Sequence, residues 1–179
     1  MTIQTPISAI DDDQLWEAPT CAANAWRGQA IQIFAQAELA VSDTLEALAA
    51  VPVRGADVRL RRLVGQRFED LGSALSGAFA AEGVKAAAAL AQFRSHEELR
   101  PFLCHGVAKL ALDRNGRWLI VLKLVAFQAR GTQRTSRTVE QQDAEQLLAG
   151  LREDGRRLAS ALQSLRSRVR VCSPGSNRI

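Results

Sequence analysis

The chain of 179 residues contains no tyrosine, a single methionine and only 5% aromatic residues. That composition leaves little to fill a β-sandwich, and its alanine-rich character favours helices packed closely together. Cysteine is nearly as scarce. Cys21, Cys104 and Cys172 are an odd number with no C-x-x-C pair, which argues against a disulfide framework or a structural zinc site and for a reducing cytoplasm. The longest apolar run, Trp118 to Phe127, is interrupted by Lys123 and is too short to span a membrane. No basic-then-apolar leader pattern opens the chain; Asp11-Asp12-Asp13 stands there instead. Phosphate-binding glycine loops, internal repeats and low-complexity tracts are also missing, and no cofactor or metal ligand set is expected.

What is present is unevenly distributed. Residues 1–93 hold seven basic and eleven acidic side chains, whereas residues 94–179 hold sixteen and eight, within a total net charge of +4. A basic half joined to an acidic half is a mild pointer to a polyanion such as RNA; arginines that simply solvate long helices would give the same imbalance.

Periodicity predicts a mainly α fold, an antiparallel helical bundle with one β-hairpin inserted before a long C-terminal helix. Residues 1–19, with Pro6 and Pro19, read as a flexible lead-in. A single domain then covers 20–171, and 172–179 reads as a flexible tail. The first helix, from Thr20 to about Ala50, carries Trp26, Ala30, Ile33, Phe34, Ala37, Val41, Leu45 and Leu48 on one face. Glu38 falls within that stripe and wants a partner. It is either half of a salt bridge to an arginine on a neighbouring helix or a polar member of a functional site.

A second helix is expected over Asp57–Ala81, with Leu60, Leu63, Val64, Phe68, Leu71, Leu75 and Phe79 inward and Arg59, Arg61, Arg62 and Arg67 solvated. A short alanine-rich helix follows over Val84–Phe93. Ser95 and Glu98 then have capping-box spacing, with His96 facing solvent in the first turn. Asn115-Gly116 between alternating apolar runs predicts a hairpin over 107–127. A lone hairpin is marginal in water, so it should lie on the bundle or on a partner chain. Ala129–Arg137 reads as a polar, basic connector. Thr138 and Gln141 form a second capping box, opening a helix to about Val171. Its Ala144, Leu148, Leu151, Gly155, Leu158, Leu162, Leu165 and Val169 keep a heptad seam that either packs in the bundle or joins a second subunit.

One stretch concentrates chemistry. In Leu99-Arg100-Pro101-Phe102-Leu103-Cys104-His105-Gly106, an arginine and a histidine stand five residues apart, just before a helix-ending glycine. Leu63-Val64-Gly65-Gln66 precedes it, and the Asn115-Gly116 hairpin and the capped helix Thr138–Val169 follow. Arg-x4-His-Gly in this order of elements resembles the HEPN superfamily, helical proteins that include RNA-cleaving toxins and abortive-infection proteins. The resemblance implies metal-independent endoribonuclease chemistry with 2′,3′-cyclic phosphate ends. His105 would act on a ribose 2′-hydroxyl, Arg100 would hold the phosphate, and Glu38 is the third candidate catalytic residue. It also implies a homodimer, RNA as substrate and an antitoxin or other protein as a further partner, with no membrane. One position departs from the family. Pro101 stands where RNA-cleaving members usually carry a polar residue, often asparagine. That departure keeps open a second reading, a non-catalytic dimeric helical module that binds protein or RNA.

Overall fold

Five helices and three strands follow one another in the computed structural model, which describes residues 12–128 and 131–171. They are α1 (Asp12–Ala49), α2 (Val64–Ser76), α3 (Ala80–Arg94), α4 (Leu99–His105), β1 (Val107–Leu112), β2 (Trp118–Gln128), β3 (Gly131–Glu140) and α5 (Gln141–Val171). Helix α1 begins before the expected start, so residues 12–19 are helical rather than lead-in. Pro19 sits within the first turns, where its missing N–H forfeits one hydrogen bond. The expectations for residues 1–11, for the 172–179 tail and for Cys172 lie outside the described residues.

The mainly helical architecture with a small sheet before the last helix is as the periodicity predicts, and side-chain contacts give the sense of the long helices. Trp26 Nε1 donates to the Ala144 carbonyl at 2.8 Å, Gln29 meets Arg152, and Thr44 Oγ1 accepts from Arg166 Nη1 at 3.0 Å. Successive contacts advance in the same direction along both chains, so α1 and α5 run parallel. Helix α3 is antiparallel to α5: Gln92 reaches Asp154 and His96 lies beside Gly150. Helix α3 thus returns the chain to the end of the bundle at which α5 begins.

The α5 seam is consumed inside the molecule. Ala144, Leu148, Leu151, Leu158, Leu162, Leu165 and Val169 are all buried, among the α1 stripe residues Trp26, Ala30, Phe34, Ala37, Val41, Leu45 and Leu48. Phe93 joins the layers. Its ring is edge-on to Phe34 at 5.7 Å and stacked on Phe68 at 6.1 Å.

Helix α2 is shorter than its hydrophobic pattern suggests. Leu60 and Leu63 are exposed, and 57–63 forms a non-helical link. Two arginines expected in solvent hold that link. Arg61 clamps the buried Asp70 through Nε at 2.9 Å and Nη2 at 2.6 Å, and Arg67 donates to the carbonyls of Arg61 and Arg62 and to Ser42 Oγ. The Arg61 hydrogen bond holds the Asp70 carboxyl below its ordinary range, despite burial acting the other way. A polar link satisfied by its own side chains competes successfully with helix propensity.

The expected hairpin is present, and the connector after it is a third strand. The order is β1-β2-β3, antiparallel throughout, with Ile120 opposite both Leu110 and Val139. At the first turn Gly116 adopts φ +75°, a conformation that disfavours side chains, and Asp113 accepts the backbone N–H groups of Asn115 and Arg117. β3 forms because β2 otherwise leaves a row of backbone groups unpaired, and Thr132, Thr135, Thr138 and Val139 suit a strand. Thr138 therefore lies in β3 and caps nothing. Trp118, Ile120 and Leu122 face the bundle, where the Trp118 ring meets Trp26 at 5.9 Å. The opposite face presents Val107, Lys109, Lys123, Val125 and Arg134 to solvent.

Candidate functional site

Helix α4 carries the Arg-x4-His stretch and is only seven residues long. Turns closed by His96, Glu97, Leu99 and Arg100 N–H groups link it to the end of α3, so the chain reverses with no free loop. The Ser95 capping box does not form. Ser95 Oγ donates to the Gln92 carbonyl instead, and Glu98 occupies the N-cap position without a side-chain bond. Pro101 is the third residue of α4. A helix leaves its first N–H groups without partners in any case, so a proline there breaks no hydrogen bond and need not kink the helix. Leu99 and Leu103 point into the core and fix the rotation of α4.

That rotation brings Arg100 to Glu38. Arg100 Nε donates to Glu38 Oε1, so the carboxylate in the α1 stripe has found its arginine on a neighbouring helix. The contact uses Nε alone among the described bonds, leaving both terminal NH2 groups of the guanidinium uncommitted, with the side chain 30% exposed. His105 takes no part in that contact. It occupies the last turn of α4, is exposed, and makes no hydrogen bond or ion pair among the described residues. Within one chain, then, Arg100 and Glu38 are bonded to each other and His105 is bonded to neither.

A residue that sequence reading did not single out holds this end of α4. Arg27 Nε donates to the Leu103 carbonyl at 2.7 Å and Arg27 Nη2 to the Gly106 carbonyl at 2.9 Å. One guanidinium thus satisfies two carbonyls at and beyond the helix terminus and places a cation at the negative end of its dipole. Gly106 is required here for space. Its φ is an ordinary −73°, but an added Cβ would come within 2.3 Å of the Phe102 carbonyl oxygen. Nothing in the local sequence marks Arg27, because its partners are 76 and 79 residues away. Arg27→Ala is expected to cost about 2 kcal/mol, the scale of hydrogen bonds from a charged donor. Arg27→Lys should recover only part of that, since an ammonium lacks the fork. Chemical denaturation of the three proteins checks both statements.

His96 also departs from expectation. It is held by Asp154, with Nε2 to Oδ2 at 2.9 Å, and its side chain is only 16% exposed. The described cysteines are both free thiols, and Cys104 is half-buried beside His105. No helix among the described residues is long and apolar enough to cross a membrane. No group of three or more His, Cys, Asp or Glu side chains among them is placed to hold a metal ion.

No protein-family model, curated protein or solved structure matches the chain. What the α4 end can do chemically therefore rests on its own geometry: an accessible imidazole, a guanidinium with two free donor groups, and the cationic face of the sheet beginning two residues after His105.

Proposed function

We propose that the protein is a HEPN-like, metal-independent endoribonuclease of the toxin or defence kind, acting on RNA as a homodimer. The observation that carries this reading is the state of His105: solvent-exposed, free of hydrogen bonds, and at the terminus of a helix anchored by Arg27 and by two buried leucines. An imidazole is the side chain that most readily exchanges a proton at neutral pH. His105 takes the proton from a ribose 2′-hydroxyl; the 2′-oxygen bonds to the adjacent phosphorus, and the bond from phosphorus to the 5′-oxygen breaks. The leaving oxygen needs a proton, and one chain offers one such histidine, so the partner's copy of the motif supplies it. Arg100, steadied by Glu38, meets the charge that builds on the phosphate oxygens. Lys109, Lys123 and Arg134 on the outer sheet face give the RNA strand a cationic track. The α5 seam is buried internally, so the dimer contact lies elsewhere than on that seam.

A specific observation favours the second reading. Glu38 neutralises part of the Arg100 charge, and Pro101 supplies no polar side chain between Arg100 and His105. A chain with those features serves as a non-catalytic dimeric module binding protein or RNA. Incubating the purified protein with mixed RNA in EDTA, followed by end-group analysis and light scattering, separates the two. Cyclic-phosphate ends are the expected result. Intact RNA alongside a folded dimer would move the assignment to the module, with Pro101→Asn as the variant to restore cleavage.

A further inference from the structure

His96 and Asp154 play no part in the chemistry above, and together they form a second polar site. Asp154 is a buried carboxylate on α5, 7% exposed. It receives His96 Nε2 at 2.9 Å and Gln92 Nε2 at 3.4 Å, with Arg157 Nη1 at 3.9 Å. A carboxylate only accepts, so His96 donates from Nε2, and in the neutral ring the Nδ1 lone pair remains available. No buried side-chain nitrogen or oxygen among the described residues lacks a partner, so Nδ1, which has none, reaches solvent.

His96 lines an open cleft of about 450 Å³, together with Arg137, Asp143, Gln146, Leu147 and Gly150. That volume suits a small metabolite. Arg137 on β3 is half-buried at its wall and makes no hydrogen bond or ion pair among the described residues. A guanidinium left unpaired in a concave site is matched by a phosphate, whose oxygens accept its fork. Asp143 and Gln146 on one wall, with His96 Nδ1, are hydroxyl partners, and Leu147 offers an apolar surface.

We propose that this cleft binds a small phosphate ester bearing hydroxyl groups, a nucleotide or a sugar phosphate, with Arg137 on the phosphate and the His96–Asp154 pair on a hydroxyl. The site is separate from His105 and does not depend on RNA cleavage. Gly150 keeps it open. A Cβ there would sit 3.8 Å from His96 Cε1, an ordinary contact, whereas a longer side chain would extend beyond it into the cleft.

The chain has two histidines, so imidazole NMR reads each separately. The full chain is titrated with inorganic phosphate, ribose 5-phosphate and adenosine 5′-monophosphate. Saturable shifts at His96, with tighter binding of an ester than of inorganic phosphate and His105 unmoved, are expected. Preference for the mononucleotide over the sugar phosphate assigns a nucleotide; equal or reversed affinity assigns a sugar phosphate. Arg137→Gln should weaken binding by about tenfold or more. Gly150→Leu should remove it with the melting temperature held or raised, because leucine favours a helix over glycine. The proposal fails if none of the three probes shifts His96 saturably, or if inorganic phosphate binds as tightly as either ester. It fails equally if both variants bind like the wild type.

Discussion

Replacing His105 by alanine is expected to lower metal-independent RNA cleavage by roughly two to four orders of magnitude, the usual worth of a positioned acid or base. The melting temperature should stay where it is. His105 is exposed and bonds to nothing among the described residues, so its removal exposes no core and leaves no polar group stranded; surface changes of that kind fall within about 0.5 kcal/mol. This combination makes the result informative. A loss of cleavage with an unchanged melting curve and an unchanged dimer assigns the activity to the imidazole rather than to the fold. Cleavage that persists in His105→Ala at wild-type rate would remove the Arg-x4-His stretch from the chemistry altogether. A heterodimer with one wild-type and one His105→Ala chain extends the test. If each copy supplies a different proton-transfer step, the mixed dimer should lose most of the activity of the wild-type pair.

Phe93→Ala is expected to destabilise the protein by about 4 kcal/mol, at the upper end of what one side chain contributes. Phe93 is fully buried, at 0% exposure, and its ring lies against Phe34 of α1, Phe68 of α2 and, from α5, the place where a Gly155 side chain would begin. Four helices therefore lose a common contact at once, and tight packing along α5 leaves little freedom for them to close the cavity. Chemical denaturation gives the free-energy change from the midpoint and slope. A cost under about 1 kcal/mol would mean that the helices collapse onto the vacancy and that Phe93 is not the junction its contacts describe. The effect should reach His96, whose ring also packs edge-on to Phe93 at 6.2 Å. Phe93→Leu, which retains most of the apolar volume, should cost less than half as much.

How far the sequence reveals the site differs from residue to residue. Glu38 is conspicuous because a carboxylate interrupts an apolar stripe, and its arginine on another helix follows from the cost of burying an unpaired charge. Asp154 carries the same signal. It lies three residues after Leu151 and four before Leu158, on the buried side of α5, and a charge in that position also demands a partner. That His96 is the partner is not visible in any local pattern, since 58 residues separate the two. Arg27 shows no signal at all: it flanks the stripe, and its role comes from carbonyls that approach it only after α4 has docked.

The local rules failed where a short polar signal competed with tertiary pairing. Ser95 and Thr138 both have capping-box spacing, yet Ser95 ends α3 and Thr138 is taken into β3. A cap contributes about 1 kcal/mol, less than a whole strand gains by closing the open edge of β2. Likewise, the alternation over Leu60 and Leu63 resembles a helix face, but the Arg61–Asp70 clamp holds the segment outside α2.

By itself, the sequence determined what repeats along the chain: the buried faces of α1 and α5, the hairpin at Asn115-Gly116, and the helical terminus at His105-Gly106. These follow from hydrophobic period, glycine conformation and steric space, which act over a few residues. Only the tertiary structure decided what lies between elements. The parallel sense of α1 and α5, the third strand, the Arg27 anchor, the Arg100–Glu38 pair, and the His96–Asp154 cleft all depend on docking. Groups dozens of residues apart meet because burial of the apolar faces brings their helices together, and no periodicity in the chain records which polar neighbours that packing will leave side by side.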